Sequence, residues 1–109
     1  SIATLLDRCE SVFQQEPLCF PSGPEIVSTV GMISGAAESA FREAIADGLD
    51  AYITGEASEW VMNVAREAGT HFIAAGHYAT ERLGVQTLGE HLAEKFGLEV
   101  NFEEIPNPV

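Results

Sequence analysis

The stretch FIAAGHYATERLG, residues 72–84, decides how the chain is read. Phe72 to Ala75 form a short apolar run that stops at Gly76, and His77 and Glu81 follow at once, four positions apart. A run this short, closed by glycine, is the pattern of a buried strand. Positions four apart differ by about 40° around an α-helix, so the imidazole and the carboxylate share a face if a helix starts near His77. Two such groups projecting together suit a divalent ion. A helix-capping or surface pair is the plainer alternative.

The same punctuation occurs 21 positions earlier: GLDAYITGE (48–56) is echoed by GTHFIAAGH (69–77). Each runs from glycine through a short apolar strand to a second glycine and then to a polar residue. If the two strands are parallel neighbours joined by a right-handed crossover, Glu56 and His77 emerge at one edge of the sheet. That is the carboxyl edge, where open α/β sheets bind their ligands. Gly55 and Gly76 would let the backbone turn sharply there. Between the strands, ASEWVMNVAREAG (57–69) reads as a helix with Trp60, Val61, Val64, Ala65 and Ala68 inward.

Outward from this unit, residues 1–14 carry Ile2, Leu5, Leu6, Cys9, Val12 and Phe13 on one helical face. EPLCFPSGP (16–24) is a short extended piece broken by Pro21, Gly23 and Pro24, which makes 1–22 a helix and linker. EIVSTVGMIS (25–34) is a strand, and GAAESAFREAIADG (35–48) a helix burying Ala37, Ala40, Phe41, Ala44 and Ile45. A further helix runs from about Thr80 to Phe96, with Val85, Leu88, Leu92 and Phe96 as its apolar stripe. LEVNFEEI (98–105) alternates like a last strand, and PNPV closes the chain without regular structure. The pattern predicts an α/β fold: a mixed, mostly parallel sheet with flanking helices, built from βαβ units.

At 109 residues the chain is one domain, 1–109. Seventeen acidic against five basic residues give a net charge of −12. That excess repels phosphate backbones and anionic membrane surfaces, so neither nucleic acid nor membrane is expected as a partner. No apolar run approaches the roughly 20 residues that span a bilayer, and SIATLLDRCESVF lacks the basic start of a signal peptide. Cys9 and Cys19 make no disulfide framework, which favours a reducing, cytoplasmic setting. There is no phosphate loop, no G-x-G-x-x-G, no G-x-S-x-G and no C-x-x-C. His71, opening a strand, reads as a hydrogen-bonded structural residue. His91, ten positions after Glu81, points away as a solvated one. Trp60 reads as core. Thr54 and Glu56 are placed to hydrogen-bond a metal-bound group, although Glu56 equally suits the start of a helix, facing its dipole. No catalytic residue is identified.

DAYITGE (50–56), HFIAAGHYATERLG (71–84) and FEEIPNPV (102–109) together resemble the Nif-three-like family, the GTP cyclohydrolase I type 2 homologues, which have a two-metal centre. The resemblance runs in order from Gly23 onward, and GHYATE (76–81) is its most specific piece. It implies that His77 and Glu81 are metal ligands, and that the cofactor is a pair of divalent ions, with zinc, manganese, iron and magnesium not distinguished. It also implies a homo-oligomer, a hexameric ring built as a trimer of dimers. Trp60 stands where many relatives carry histidine, so no ligand comes from that position here. Family members are roughly twice as long, and their histidine pair and aspartate ligands lie in an amino-terminal half. The resemblance therefore makes this chain the second domain of such a protein, truncated at its amino end. The function implied is metal-dependent hydrolysis of a nucleotide or purine-like small molecule, in which the ions activate water. A non-enzymatic, metal-stabilised scaffold is the alternative. The chain by itself is expected to bind ions weakly and to self-associate through apolar surface that faced its other half.

Overall fold

The computed structural model describes all 109 residues. Helix α1 (Ile2–Phe13) leads to strand β1 (Leu18–Phe20) and strand β2 (Val30–Met32). A single 3-10 turn, Glu38–Ala40, opens helix α2 (Phe41–Ala46). Strand β3 (Ala51–Thr54), helix α3 (Val61–Ala68), strand β4 (His71–Ala74) and helix α4 (His77–Phe96) complete the order. The four strands form one sheet in the order β1-β4-β3-β2. β2 and β4 flank β3 in parallel, and β1 closes the sheet antiparallel to β4. The sheet is thus mixed and mostly parallel, and β3 and β4 are the parallel neighbours that their sequence echo predicts.

Every residue of β3 and β4 is buried, as expected of central parallel strands covered by helices on both faces. Successive side chains alternate between those faces. Tyr52, Phe72 and Ala74 pack with Phe41 and Ala44 of α2 and Val61 and Ala65 of α3. Ile53, Ile73 and Ala75 pack on the other face with Cys9 and Phe13 of α1 and Ala79 of α4. The first face is the aromatic one. Phe41 meets Phe72 edge-on at 5.0 Å between ring centroids, a favoured arrangement of two ring quadrupoles. Tyr52 buries its ring there while its hydroxyl donates to the carbonyl of Ala37 at 2.7 Å.

The ladder pairs Tyr52 with Phe72 and Thr54 with Ala74, a spacing of 20 rather than 21. The additional residue is Ala75, which stands between the end of β4 and its glycine, where β3 has none. The pairing carries on past both strands, with the Gly76 amide donating to the Gly55 carbonyl at 3.0 Å.

Several expectations are corrected. The 25–34 strand shrinks to three residues, because Asp50 Oδ2 accepts the amides of Ser28 and Thr29 at 2.8 and 3.0 Å, which ties that segment through a side chain. Ala68 is exposed, since α3 presents only Val61 and Ala65 fully to the core. Helix α4 starts at His77, three residues before the expected Thr80. Its supposed core stripe is uncovered: Val85, Leu88 and Phe96 are 64%, 57% and 60% exposed. Residues 98–105 form no strand. Their alternation is genuine, but a strand needs a sheet edge to pair with, and this segment runs back beside α4 instead. Val100 and Phe102 line a groove with Val85, Leu88 and Leu92, and Glu104 accepts from the Tyr78 hydroxyl at 2.8 Å and from Arg82 at 3.0 Å.

Candidate metal centre

The carboxyl ends of β3 and β4 are drawn together by backbone geometry that only glycine satisfies. A Cβ on Gly55 would stand 2.6 Å from both the Gly35 carbonyl oxygen and the His77 Cα. Gly76 has φ +94°, a conformation open to glycine and costly for other residues. The loop before α2 closes over the same spot. Its Gly35 carbonyl accepts from the Gly55 amide at 2.8 Å and from Thr54 Oγ1 at 3.0 Å, and its amide donates to Thr80 Oγ1 at 3.0 Å. Thr54, fully buried, uses its hydroxyl to fix this loop, also accepting the Ala37 amide at 3.2 Å. Thr80 bridges the loop to α4, its hydroxyl also donating to the His77 carbonyl at 3.1 Å.

On this frame the structure brings His77 and Glu81 side by side, as their spacing requires. His77 Nε2 and Glu81 Oε2 are 3.3 Å apart, with the side chains 37% and 53% exposed. On the other side of the ring, His77 Nδ1 is hydrogen-bonded to Glu56 Oε1. Glu56 thus leaves the neighbouring strand tip and reaches His77, where the sequence echo had left its role undecided. The hydrogen bond that His77 donates to Glu56, with the negative charge of Glu81 adding to it, raises the His77 pKa above the usual imidazole value.

The donor geometry fits a small divalent ion. Two atoms held about 2.0–2.2 Å from one tetrahedral ion stand about 3.4 Å from each other, close to the Nε2–Oε2 separation. The space beside them depends on Gly35 (φ +72°), where a Cβ would collide with Glu81 Oε1 and stand 3.4 Å from His77 Nε2. No group of three or more histidine, cysteine, aspartate or glutamate side chains is arranged to hold an ion. The donors here amount to a partial shell, since a divalent ion takes four to six.

The other singled-out residues lie elsewhere. His71 is 2% exposed and is a core histidine, accepting the Gly23 amide at Nδ1 (3.2 Å) and donating from Nε2 to the Pro24 carbonyl (2.8 Å). His91 is exposed, as expected. Trp60 is half-buried against the α2–α3 side of the core, with the Arg42 guanidinium 4.8 Å above its ring. Cys9 and Cys19 are free thiols, and burial pushes Cys19 up to about 11. No helix is long and apolar enough to cross a membrane.

Known proteins share this arrangement of elements. The family model Duf34/NIF3 (NGG1p interacting factor 3) matches residues 1–108. The chain is 46% identical over 102 residues to the GTP cyclohydrolase 1 type 2 homolog of Pasteurella multocida, covering 93% of this chain and 41% of that protein. Among solved structures it resembles protein ybgI, described as of unknown function, with 44% identity and a TM-score of 0.93 over 98% of this chain and 44% of that one. It also resembles TTHA1606 from Thermus thermophilus, with 32% identity and a TM-score of 0.90 over 97% and 43%. The chain thus spans about two fifths of the length of the relatives it matches. With the match running over nearly its whole length, the chain belongs to the Duf34/NIF3 family.

Proposed function

We propose that this chain supplies His77 and Glu81 as ligands to a two-metal centre, the remaining ligands coming from sequence beyond these residues, and that the protein so completed is a metal-dependent hydrolase. The observation that carries this reading is the pair of open donor atoms, Nε2 and Oε2, 3.3 Å apart at the carboxyl edge of the sheet. Divalent ions bound there would activate water and polarise a substrate oxygen. The chain's own part is to hold the two donors rigidly. Thr80 ties the first turn of α4 to the Gly35 loop, and the parallel ladder sets where that turn begins. The substrate class is a small nucleotide or purine-like molecule, a reading supported by the name that the Pasteurella multocida relative carries. The completed protein is a homo-oligomer, a hexameric ring, working in the cytoplasm. A metal-stabilised scaffold without turnover is the second reading, favoured by the uncovered apolar half of α4.

Zinc or manganese titration by calorimetry tests the ligand assignment on this chain, on the full-length protein and on full-length His77→Ala. This chain should bind weakly, with two protein donors. The full-length protein should bind tightly, and His77→Ala should lose metal while its circular dichroism is unchanged, because the ring lies outside the core. Full metal content in that variant would refute the assignment. Equal affinity in the short and long chains would refute the shared centre. Metal-dependent turnover of nucleotides, abolished by His77→Ala, would separate the hydrolase from the scaffold.

A further inference from the structure

We infer that Glu56 is the positioning residue of the centre: it holds His77 with the proton on Nδ1, so that Nε2 presents its lone pair beside Glu81. The inference rests on the proposed role of His77 as a ligand. It starts from the two faces of one ring, since Nδ1 is hydrogen-bonded to Glu56 Oε1 and Nε2 looks toward Glu81 Oε2 at 3.3 Å. A neutral imidazole has one N–H and one lone pair. A carboxylate only accepts, so the nitrogen bonded to Glu56 must be the one that carries hydrogen. Glu81 is a carboxylate too, but its 3.3 Å approach to Nε2 is longer than the contact at Nδ1, so the single hydrogen of the neutral ring stays on the Glu56 side and Nε2 is left to donate electrons to an ion. His71 shows the opposite assignment in the same molecule: a backbone amide donates to its Nδ1, which forces the hydrogen onto Nε2, and both nitrogens are used up by backbone groups.

Position adds to chemistry. Glu56 follows Gly55, whose carbonyl accepts the Gly76 amide at 3.0 Å and whose Cα has no room for a side chain. The backbone of Glu56 is thereby locked one strand away from His77, so that the two strand tips address one ring. A carboxylate on the remote nitrogen of a metal-binding histidine fixes the tautomer and strengthens the ligand.

The test is nitrogen NMR of the 15N-labelled protein, metal-free, at a pH where the imidazole is neutral, followed by zinc titration of the same samples. Wild-type His77 should appear as the Nδ1–H form, Glu56→Ala should shift it toward Nε2–H, and Glu56→Gln should keep it, since the amide carbonyl accepts the same hydrogen bond. Zinc binding at His77 Nε2 should weaken about 10- to 100-fold in Glu56→Ala and less in Glu56→Gln. An unchanged tautomer in Glu56→Ala overturns the inference and leaves the ligand reading intact. A shifted tautomer with unchanged zinc affinity also overturns it. If no variant, nor the wild type, shows zinc at Nε2, the ligand reading fails and the positioning role fails with it, whatever the tautomer.

Discussion

Helix α4 has two halves that differ in what surrounds them. In its first turns Ala79 and Thr80 are buried and Leu83 packs against the α1 side of the sheet. Beyond Leu83 the apolar residues continue at helical spacing, yet Val85, Leu88 and Phe96 are exposed to solvent rather than packed in a core, and residues 100–102 share a groove with Val85 and Leu88. The two halves carry the same kind of periodicity. Spacing shows which residues share a face, but what covers the face is decided by the rest of the fold. Within these residues the sheet ends where α4 leaves it, so the second half has nothing to pack on except the chain's own tail.

That contrast predicts very unequal mutational costs. Ala79→Asp, in the anchored half, would bury a charge among Ile53, Ile73 and Phe13. Its expected cost is several kcal/mol, about 3 or more. Denaturant melts should show a variant unfolded or nearly so. A loss below about 1 kcal/mol would mean that the first turns of α4 are no better anchored than the rest.

The anchoring itself is tested at Gly55. An added methyl there meets backbone atoms of two other segments at 2.6 Å, and backbone has little room to yield. Overpacking of this kind costs about 1–3 kcal/mol. Gly55→Ala should also broaden or shift the amide resonances of His77 and Gly35, both of which touch that Cα. Sharp, unshifted resonances at both would show that the three segments are not rigidly joined.

These strand tips were the most legible part of the sequence, because glycine followed by a proton-binding residue, repeated after a short apolar run, has few structural meanings. The adjacency of β3 and β4 follows from it, and the pairing of His77 with Glu81 follows from their four-residue spacing on one helix. The partner of Glu56 did not: that its side chain turns to His77 is decided by how the two strand tips and the first turn of α4 meet in the fold rather than by sequence spacing. The use of Thr54 on the Gly35 loop was hidden for a similar reason, since that loop is 19 residues away and joins the site only through the fold. Residues 98–105 misled because alternation records a two-sided environment, and a segment lying along a helix meets one as readily as a strand does.

Side-chain anchoring at the sheet's other end gives a pH-dependent version of the same contrast. The amides of Ser28 and Thr29 hold the Asp50 carboxyl below its usual value, Ser28 contributing most. A group with a depressed folded-state pKa stabilises the fold above its unfolded value, near 3.9, and that contribution disappears as pH falls through the folded value. Asp50→Asn should therefore lower stability at neutral pH and flatten the acid limb of the stability curve below pH of about 4. An acid limb parallel to that of the wild type would show that Asp50 does not anchor the β2 segment.

The smallest effect is expected in the projecting half. Leu88 is mostly exposed and sits away from both core clusters. Replacing it with serine should change the stability of the dilute monomer by no more than about 0.5 kcal/mol, the range of ordinary surface substitutions. The same change should weaken self-association, because exposed apolar side chains grouped along a helix favour contact between copies, and Leu88 shares one groove with Val85, Leu92, Val100 and Phe102. The net charge of −12 opposes that contact at low salt, so association should strengthen as salt screens the repulsion. Sedimentation velocity across a salt series, on wild type and Leu88→Ser, reads both effects. Wild-type association that rises with salt, and a variant that stays monomeric, would mark the outer half of α4 as a contact surface. A wild type monomeric at every salt concentration would mean that the tail segment alone shields the stripe, and the two halves of α4 would then differ less than their exposures suggest.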